Sequence, residues 1–196
     1  TDLTEQVLTD QRCQSKEVGE IFVSGNHVLK QYVDNPAANR ENKIPRSGVA
    51  HSKGVWHRTG DTGYLDEQGR LWLSGRSKDV LNVNGQAIQP YPIERTLDDF
   101  PLFKRCAFID YQSTIYLFIE LDDALSSKDE PFLNEMDTLQ ALLAGTHLQT
   151  VSVIKVDSMP TDKRHNSKID RPQLQQWLKD NKHHVSTHLS LNVQGR

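Results

Sequence analysis

The chain has 196 residues, 36% hydrophobic and 25% charged, with a formal net charge of -3. That length suits one large domain or two small ones, and six Phe, five Tyr and three Trp along it argue against wholesale disorder. Acidic and basic residues are interspersed, so no basic stripe exists to neutralise nucleic-acid phosphates, and no apolar run approaches the ~20 residues of a transmembrane segment.

The start, TDLTEQVLTD, has no initiator Met, basic n-region or apolar core. No signal peptide is read there, and the chain is expected to continue a longer protein. Residues 1–18 are polar and weakly patterned. GEIFVSG (19–25) places Ile21 and Val23 on one face between glycines and predicts a strand. Residues 28–36 fit a short helix or an extended piece. Residues 35–48, rich in Asn, Pro and charge, predict a loop. In residues 59–76, Tyr64 and Leu65 lead into Asp66-Glu67-Gln68-Gly69 and then Arg70-Leu71-Trp72-Leu73, a hairpin with Gly69 closing the turn.

Residues 77–88 predict a second hairpin about Asn84-Gly85. In residues 90–100, prolines precede Ile93, Leu97 and Phe100 at helical spacing. CAFID (106–110) and TIYLFIEL (114–121) read as strands. Residues 131–145 place Phe132, Met136, Leu139 and Leu143 on one helical face, with Gly145 as the stop. TVSVIKV (150–156) is another strand. Residues 170–181 form a helix capped by Asp170, with Leu174, Trp177 and Leu178 as its buried stripe. Residues 183–196 are expected to be a frayed tail. The pattern is α+β, with a domain boundary near residues 76–79.

Cys13 and Cys106 are too few for a disulfide framework. Cys106 sits in an apolar run as a small core residue, and free thiols suit a cytoplasmic protein. There is no Walker loop or dinucleotide fingerprint. Asp61, Asp66 and Gly69 lack the spacing of a calcium loop. His183, His184 and His188 read as solvated surface rather than a metal site.

Three features carry possible chemistry. In Arg58-Thr59-Gly60-Asp61 a glycine precedes a carboxylate that can accept two hydrogen bonds from a vicinal diol such as a ribose. In Gly75-Arg76-Ser77-Lys78-Asp79 the arginine can fork onto a phosphate or carboxylate. In residues 160–170 a polar loop delivers Lys168 just before the Asp170 cap, where an ammonium can neutralise developing charge. Taken singly, each reads more simply as an ordinary Gly-Asp turn, a charged turn or a basic surface loop.

Together, WHRTGDTGYLDEQGRLWLSGRSKDVLNVNGQAIQPYPIE and MPTDKRHNSKIDRPQL, about seventy residues apart, resemble the C-terminal motifs of the adenylate-forming superfamily: acyl-CoA synthetases, nonribosomal peptide synthetase adenylation domains and luciferases. The resemblance implies that residues 1–76 are the β-rich, barrel-like end of a large adenylation core, and that residues 77–196 form a small α+β lid. It implies Lys168 as the catalytic lysine, Thr59, Asp61 and Arg76 as nucleotide-binding residues, and Lys78 as the hinge. Asn84 and Gly85 would sit in the loop that lines the thiol channel in the second half-reaction.

It further implies ATP, Mg2+ with ligands outside this chain, a carboxylic acid, and coenzyme A, phosphopantetheine or a carrier protein as acceptor. The phosphate loop and adenine motif are expected before residue 1, in an N-terminal core, so the piece alone is expected to be inactive. Where the family usually has Gly before the lysine, this chain has Ser167, and RHNSK resembles the branch acting on fatty or β-hydroxy acyl groups. The competing reading is a non-catalytic lid-like module that docks a carrier protein or partner subunit.

Overall fold

The computed structural model describes residues 3–46, 54–122, 129–162, 168–181 and 189–192. It divides into two compact units, Thr1–Lys78 and Asp79–Arg196.

The first unit is a four-stranded sheet with two short helices. Helix α1 (Glu5–Asp10) is started by Thr4, whose side chain accepts from Val7 N. No residue of α1 is buried, which is why this polar stretch showed no apolar period. Strand β1 (Gly19–Val23) follows as expected. No helix or strand occupies residues 28–35. A helix, α2 (Pro36–Asn42), forms instead inside the stretch expected to be loop. Asn35 caps it by accepting from Ala38 N at 3.1 Å, and Pro36 presets the first turn.

Strand β2 (Lys43–Pro45) then buries Ile44. Strand β3 (Val55–Leu65) is the axis of the sheet. It carries β1 antiparallel on one edge, while β2 and β4 (Leu71–Arg76) share the other. The β3–β4 hairpin forms as predicted, with Gly69 at φ +74°. The Asp66 carboxylate collects Gln68 N, Arg70 N and the Trp72 indole N–H at 2.9–3.0 Å.

The second unit begins within a 3-10 turn, Ser77–Asp79. Strands β5 (Leu81–Val83) and β6 (Gln86–Ile88) flank Asn84 at φ +52° and Gly85 at φ +81°, the two-residue turn that Asn-Gly favours. Then come α3 (Pro90–Leu97), β7 (Phe103–Tyr111), β8 (Thr114–Leu121), α4 (Asp129–Ala144), β9 (Thr150–Val156), α5 (Arg171–Asp180) and β10 (Leu189–Asn192).

The main sheet runs β10-β9-β8-β7. Strands β8 and β9 are parallel, as the α4 crossover permits. Alternate residues of β7 serve opposite faces. Cys106 and Phe108 pack with Leu97 of α3 and Leu139 and Leu143 of α4, while Ala107 and Ile109 pack with Leu174 and Leu178 of α5. Helices cover both faces, so the strands read as nearly continuous apolar runs.

Two expectations need correction. The tail is not frayed throughout: residues 189–192 form β10 against β9, with Leu191 6% exposed. Its alternation is only four residues long, too short to stand out in a polar tail. Trp177 is not fully buried. It is 37% exposed and sets a ring at 85° to Phe118, with centroids 5.6 Å apart. His183, His184, His188, Ser167 and the Phe132 side chain lie outside the described residues.

Candidate nucleotide site and adenylation loop

Asp61 and Arg76 face each other across β3 and β4, and a bulge puts them there. From Leu65↔Leu71 to Gly63↔Leu73 the register is regular. Continued unbroken, it would set Asp61 opposite Gly75. The register instead shifts between Thr62 and Gly63, leaving Ser74 as the extra residue of β4, and Asp61 pairs with Arg76. Gly63 is required at this point, because a Cβ there would collide with the Trp72 carbonyl.

The result is an ion pair, Arg76 Nε to Asp61 Oδ1 at 2.9 Å, with side chains 46% and 36% exposed. The surrounding backbone is braced. Thr59 Oγ1 donates to Ile21 O at 2.9 Å and accepts from Asp61 N at 3.0 Å. Arg76 Nη1 donates to Thr59 O at 3.3 Å, and Ser77 Oγ to Gly60 O at 3.2 Å. Gly60 holds φ +73°, a left-handed conformation that a side chain would strain. The Thr59 hydroxyl is therefore engaged by the turn, while the Asp61 carboxylate keeps an open face for further donors.

Behind the turn, Arg58 Nε donates to Glu20 at 2.7 Å, and this bond raises the guanidinium pKa further. Glu20 was not singled out in the sequence. Its signal was weak: one acid in an otherwise apolar strand. An open groove of about 1080 Å³ runs along α1, β1 and β3 and includes neither Asp61 nor Arg76. A carboxylate that accepts from a vicinal diol needs an accessible edge rather than an enclosed cavity.

Lys78 lies exposed in the 3-10 turn, as the last residue of the first unit. In the second unit, Asn84 and Gly85 form the exposed tip of the β5–β6 hairpin. Gly85 N donates to Asn82 Oδ1 and Asn82 N to Asp110 Oδ2, both at 3.0 Å, which ties the hairpin to β7. Among the described residues beyond its chain neighbours, no atom lies within 4 Å of where a Cβ on Gly85 would sit, so the cost of a side chain there comes from φ.

Lys168 is exposed on a loop closed at its base. Thr161 and Ile169 form a β-bridge, Asp162 N donates to Lys168 O, and Asp170 N donates to Pro160 O, both at 2.8 Å. The backbone of Lys168 is thus fixed while its ammonium faces outward. Cys106 is buried as expected, and burial first, then Glu94 and Asp98, push its thiol pKa up, away from nucleophilic use.

The sequence did not mark three charged groups near the two ends of this segment: Glu94 and Arg171 at one end, and Glu120, which accepts from Met159 N, at the other. Glu94 and Glu120 are 7% and 2% exposed. The available signal was a carboxylate one position from the apolar stripe of α3 and another inside the apolar run of β8. Among the described residues, no group of three or more His, Cys, Asp or Glu comes together to hold a metal ion, and no helix is long and apolar enough to cross a membrane.

No family model matches the chain. Curated relatives do. An olefin β-lactone synthetase of Xanthomonas campestris is 30% identical over 168 residues, 82% of this chain and 30% of that protein. The oxalate–CoA ligase of Saccharomyces cerevisiae is 30% identical over 146 residues, 74% of this chain and 25% of that protein. Among solved structures, o-succinylbenzoate CoA synthetase of Bacillus subtilis, in complex with its acyl-adenylate intermediate, matches with a TM-score of 0.64 at 25% identity. That match covers 83% of this chain and 31% of that one. The chain thus spans less than a third of the length of these relatives. Its motifs, its α+β fold and these relatives agree: the chain belongs to the adenylate-forming superfamily, whose C-terminal part it matches.

Proposed function

We propose that this chain is the C-terminal portion of an ATP-dependent acyl ligase, which activates a carboxylic acid as acyl-AMP and passes it to a thiol or other acceptor. The observation that carries this reading is the bulge-set Asp61–Arg76 pair, an accessible carboxylate and guanidinium held side by side on a braced turn. Asp61 would accept hydrogen bonds from the ribose hydroxyls of ATP, with Arg76 beside it toward the phosphates and Thr59 holding the turn. Residues 1–76 would close a large N-terminal core, and residues 77–196 would act as its lid, turning at Lys78.

In the first half-reaction a carboxylate oxygen attacks the α-phosphorus, a P–O bond forms, and pyrophosphate leaves. Two anions must meet, so positioning and a fixed cation dominate the rate. Lys168 would supply that cation. Mg2+, when bound, neutralises phosphate charge, and its protein ligands would come from outside this chain. In the second half-reaction an acceptor such as the thiol of coenzyme A or phosphopantetheine attacks the acyl carbon, and AMP leaves. Asn84 and Gly85 would line its approach. The relatives include a CoA ligase and a β-lactone synthetase, which supports acyl activation as the shared step.

The test is carboxylate-dependent ATP–pyrophosphate exchange by the full-length protein, over a panel of acids, beside Lys168→Ala. Exchange with one acid class, lost in a folded Lys168→Ala variant, is expected. Undiminished exchange in that variant would remove Lys168 from the mechanism and favour a docking module.

A further inference from the structure

Among the described residues of the second unit, a largely buried ionic cluster is centred on Arg171, close in sequence to Lys168. Arg171, the first residue of α5, is three residues from Lys168, and its side chain is only 17% exposed. Its Nη2 donates to both oxygens of Glu94, at 3.0 and 2.8 Å. Its Nη1 donates to Phe108 O at 2.7 Å, and its Nε lies 3.3 Å from Asp79 Oδ2. Glu94 also accepts from Phe108 N at 2.8 Å.

Strand β7 is an edge strand of its sheet. The carboxylate and guanidinium therefore satisfy the outward N–H and C=O of Phe108 as a neighbouring strand would. Burial disfavours the Arg171 charge, but Glu94 and Asp79 more than offset this and raise its pKa.

The other end of the loop is anchored as well. Glu120 accepts from Met159 N at 2.7 Å and pairs with Lys104 at 3.0 Å. The loop leaves one carboxylate anchor at Met159 and returns to another at Arg171. Between them, Asp170 N is bonded to Pro160 O and Asp162 N to Lys168 O.

A buried ion pair is weak as a source of stability, since desolvation offsets much of the attraction. What the planar fork provides is direction. Here one guanidinium engages α3, β7 and Asp79 together, so it fixes where α5 begins. Lys168 is one short tether away, because three residues span roughly 10 Å at most. Asp79 adjoins Lys78, so the same fork also grips the chain where the second unit starts.

We propose that Arg171, held by Glu94 and Asp79, is the positioning residue for Lys168, setting the direction in which the loop presents its ammonium. This rests on the reading of Lys168 as the adenylation lysine. Arg171 touches no substrate in this account.

The test uses Arg171→Lys in the full-length protein, with thermal unfolding, kcat and KM of pyrophosphate exchange, and amide hydrogen exchange. Lysine keeps the charge but cannot reach all three partners at once. The expected result is a folded variant whose kcat falls about tenfold to a hundredfold, the loss typical of a displacement near 1 Å, with KM for ATP and acid unchanged. Protection at the Asp162 and Asp170 amides should drop about tenfold while that of β8 holds. Wild-type kcat in folded Arg171→Lys, or unchanged protection at those two amides, would overturn the proposal.

If Arg171→Lys does not fold, Glu94→Gln, which keeps the acceptor for Phe108 N, must show the same split. Failure of both to fold would reduce the cluster to a purely structural one. Lys168→Ala is run alongside. Full exchange in it defeats the reading of Lys168 itself, whereas lost exchange there beside full exchange in Arg171→Lys defeats only the positioning role.

Discussion

Two arginine–carboxylate pairs, one in each unit, have nearly the same length and opposite surroundings. Arg76–Asp61 spans 2.9 Å with side chains 46% and 36% exposed; Arg171–Glu94 spans 2.8 Å with side chains 17% and 9% exposed. The first leaves lone pairs and N–H groups facing outward. The second is closed by Phe108 and Asp79. Distance does not separate a proposed binding pair from a structural one. Open hydrogen-bonding capacity does, because an unsatisfied charge tolerates solvent but not burial.

The comparison can be broken at several points. Arg171→Ala should have the largest effect, since it strands Glu94 as a buried unpaired charge. A loss of about 3–5 kcal/mol in urea-unfolding stability is expected. Lys168→Ala should leave stability unchanged while lowering exchange by about a hundredfold or more, roughly 3 kcal/mol of transition-state stabilisation. Arg76→Ala should weaken ATP binding by calorimetry about tenfold to a hundredfold. Its cost in stability should stay below about 1 kcal/mol, as for a solvent-screened pair. Lys16→Ala, which removes an exposed pair with Glu67 at 2.6 Å, should change the unfolding free energy by less than about 0.5 kcal/mol. If Arg76→Ala proved as destabilising as Arg171→Ala, the open–closed distinction would fail.

Much of the fold was legible because local chemistry and long-range packing agreed. Gly69 and Asn84-Gly85 demand their turns, and Asp170 caps α5 by accepting from Gln173 N at 3.1 Å. Helices α1 and α2 were missed because they bury nothing, and their signals are local: the Thr4 and Asn35 caps and, in α2, Pro36 at the first turn. The site divides the same way. Asp61 and Arg76 could be named from their motifs, but their facing each other depends on a one-residue bulge with no clear sequence mark. Glu94 and Arg171 are 77 positions apart, and nothing in either local pattern announces the other.

In the proposed function the acid is activated through its own oxygen at the α-phosphate. The most direct measurement supplies the full-length protein with ATP, an acceptor thiol and the acid class that supports exchange, labelled with 18O in its carboxylate. One 18O atom is expected in the AMP released and none in pyrophosphate. Label in orthophosphate with formation of ADP, or AMP free of label, would contradict it.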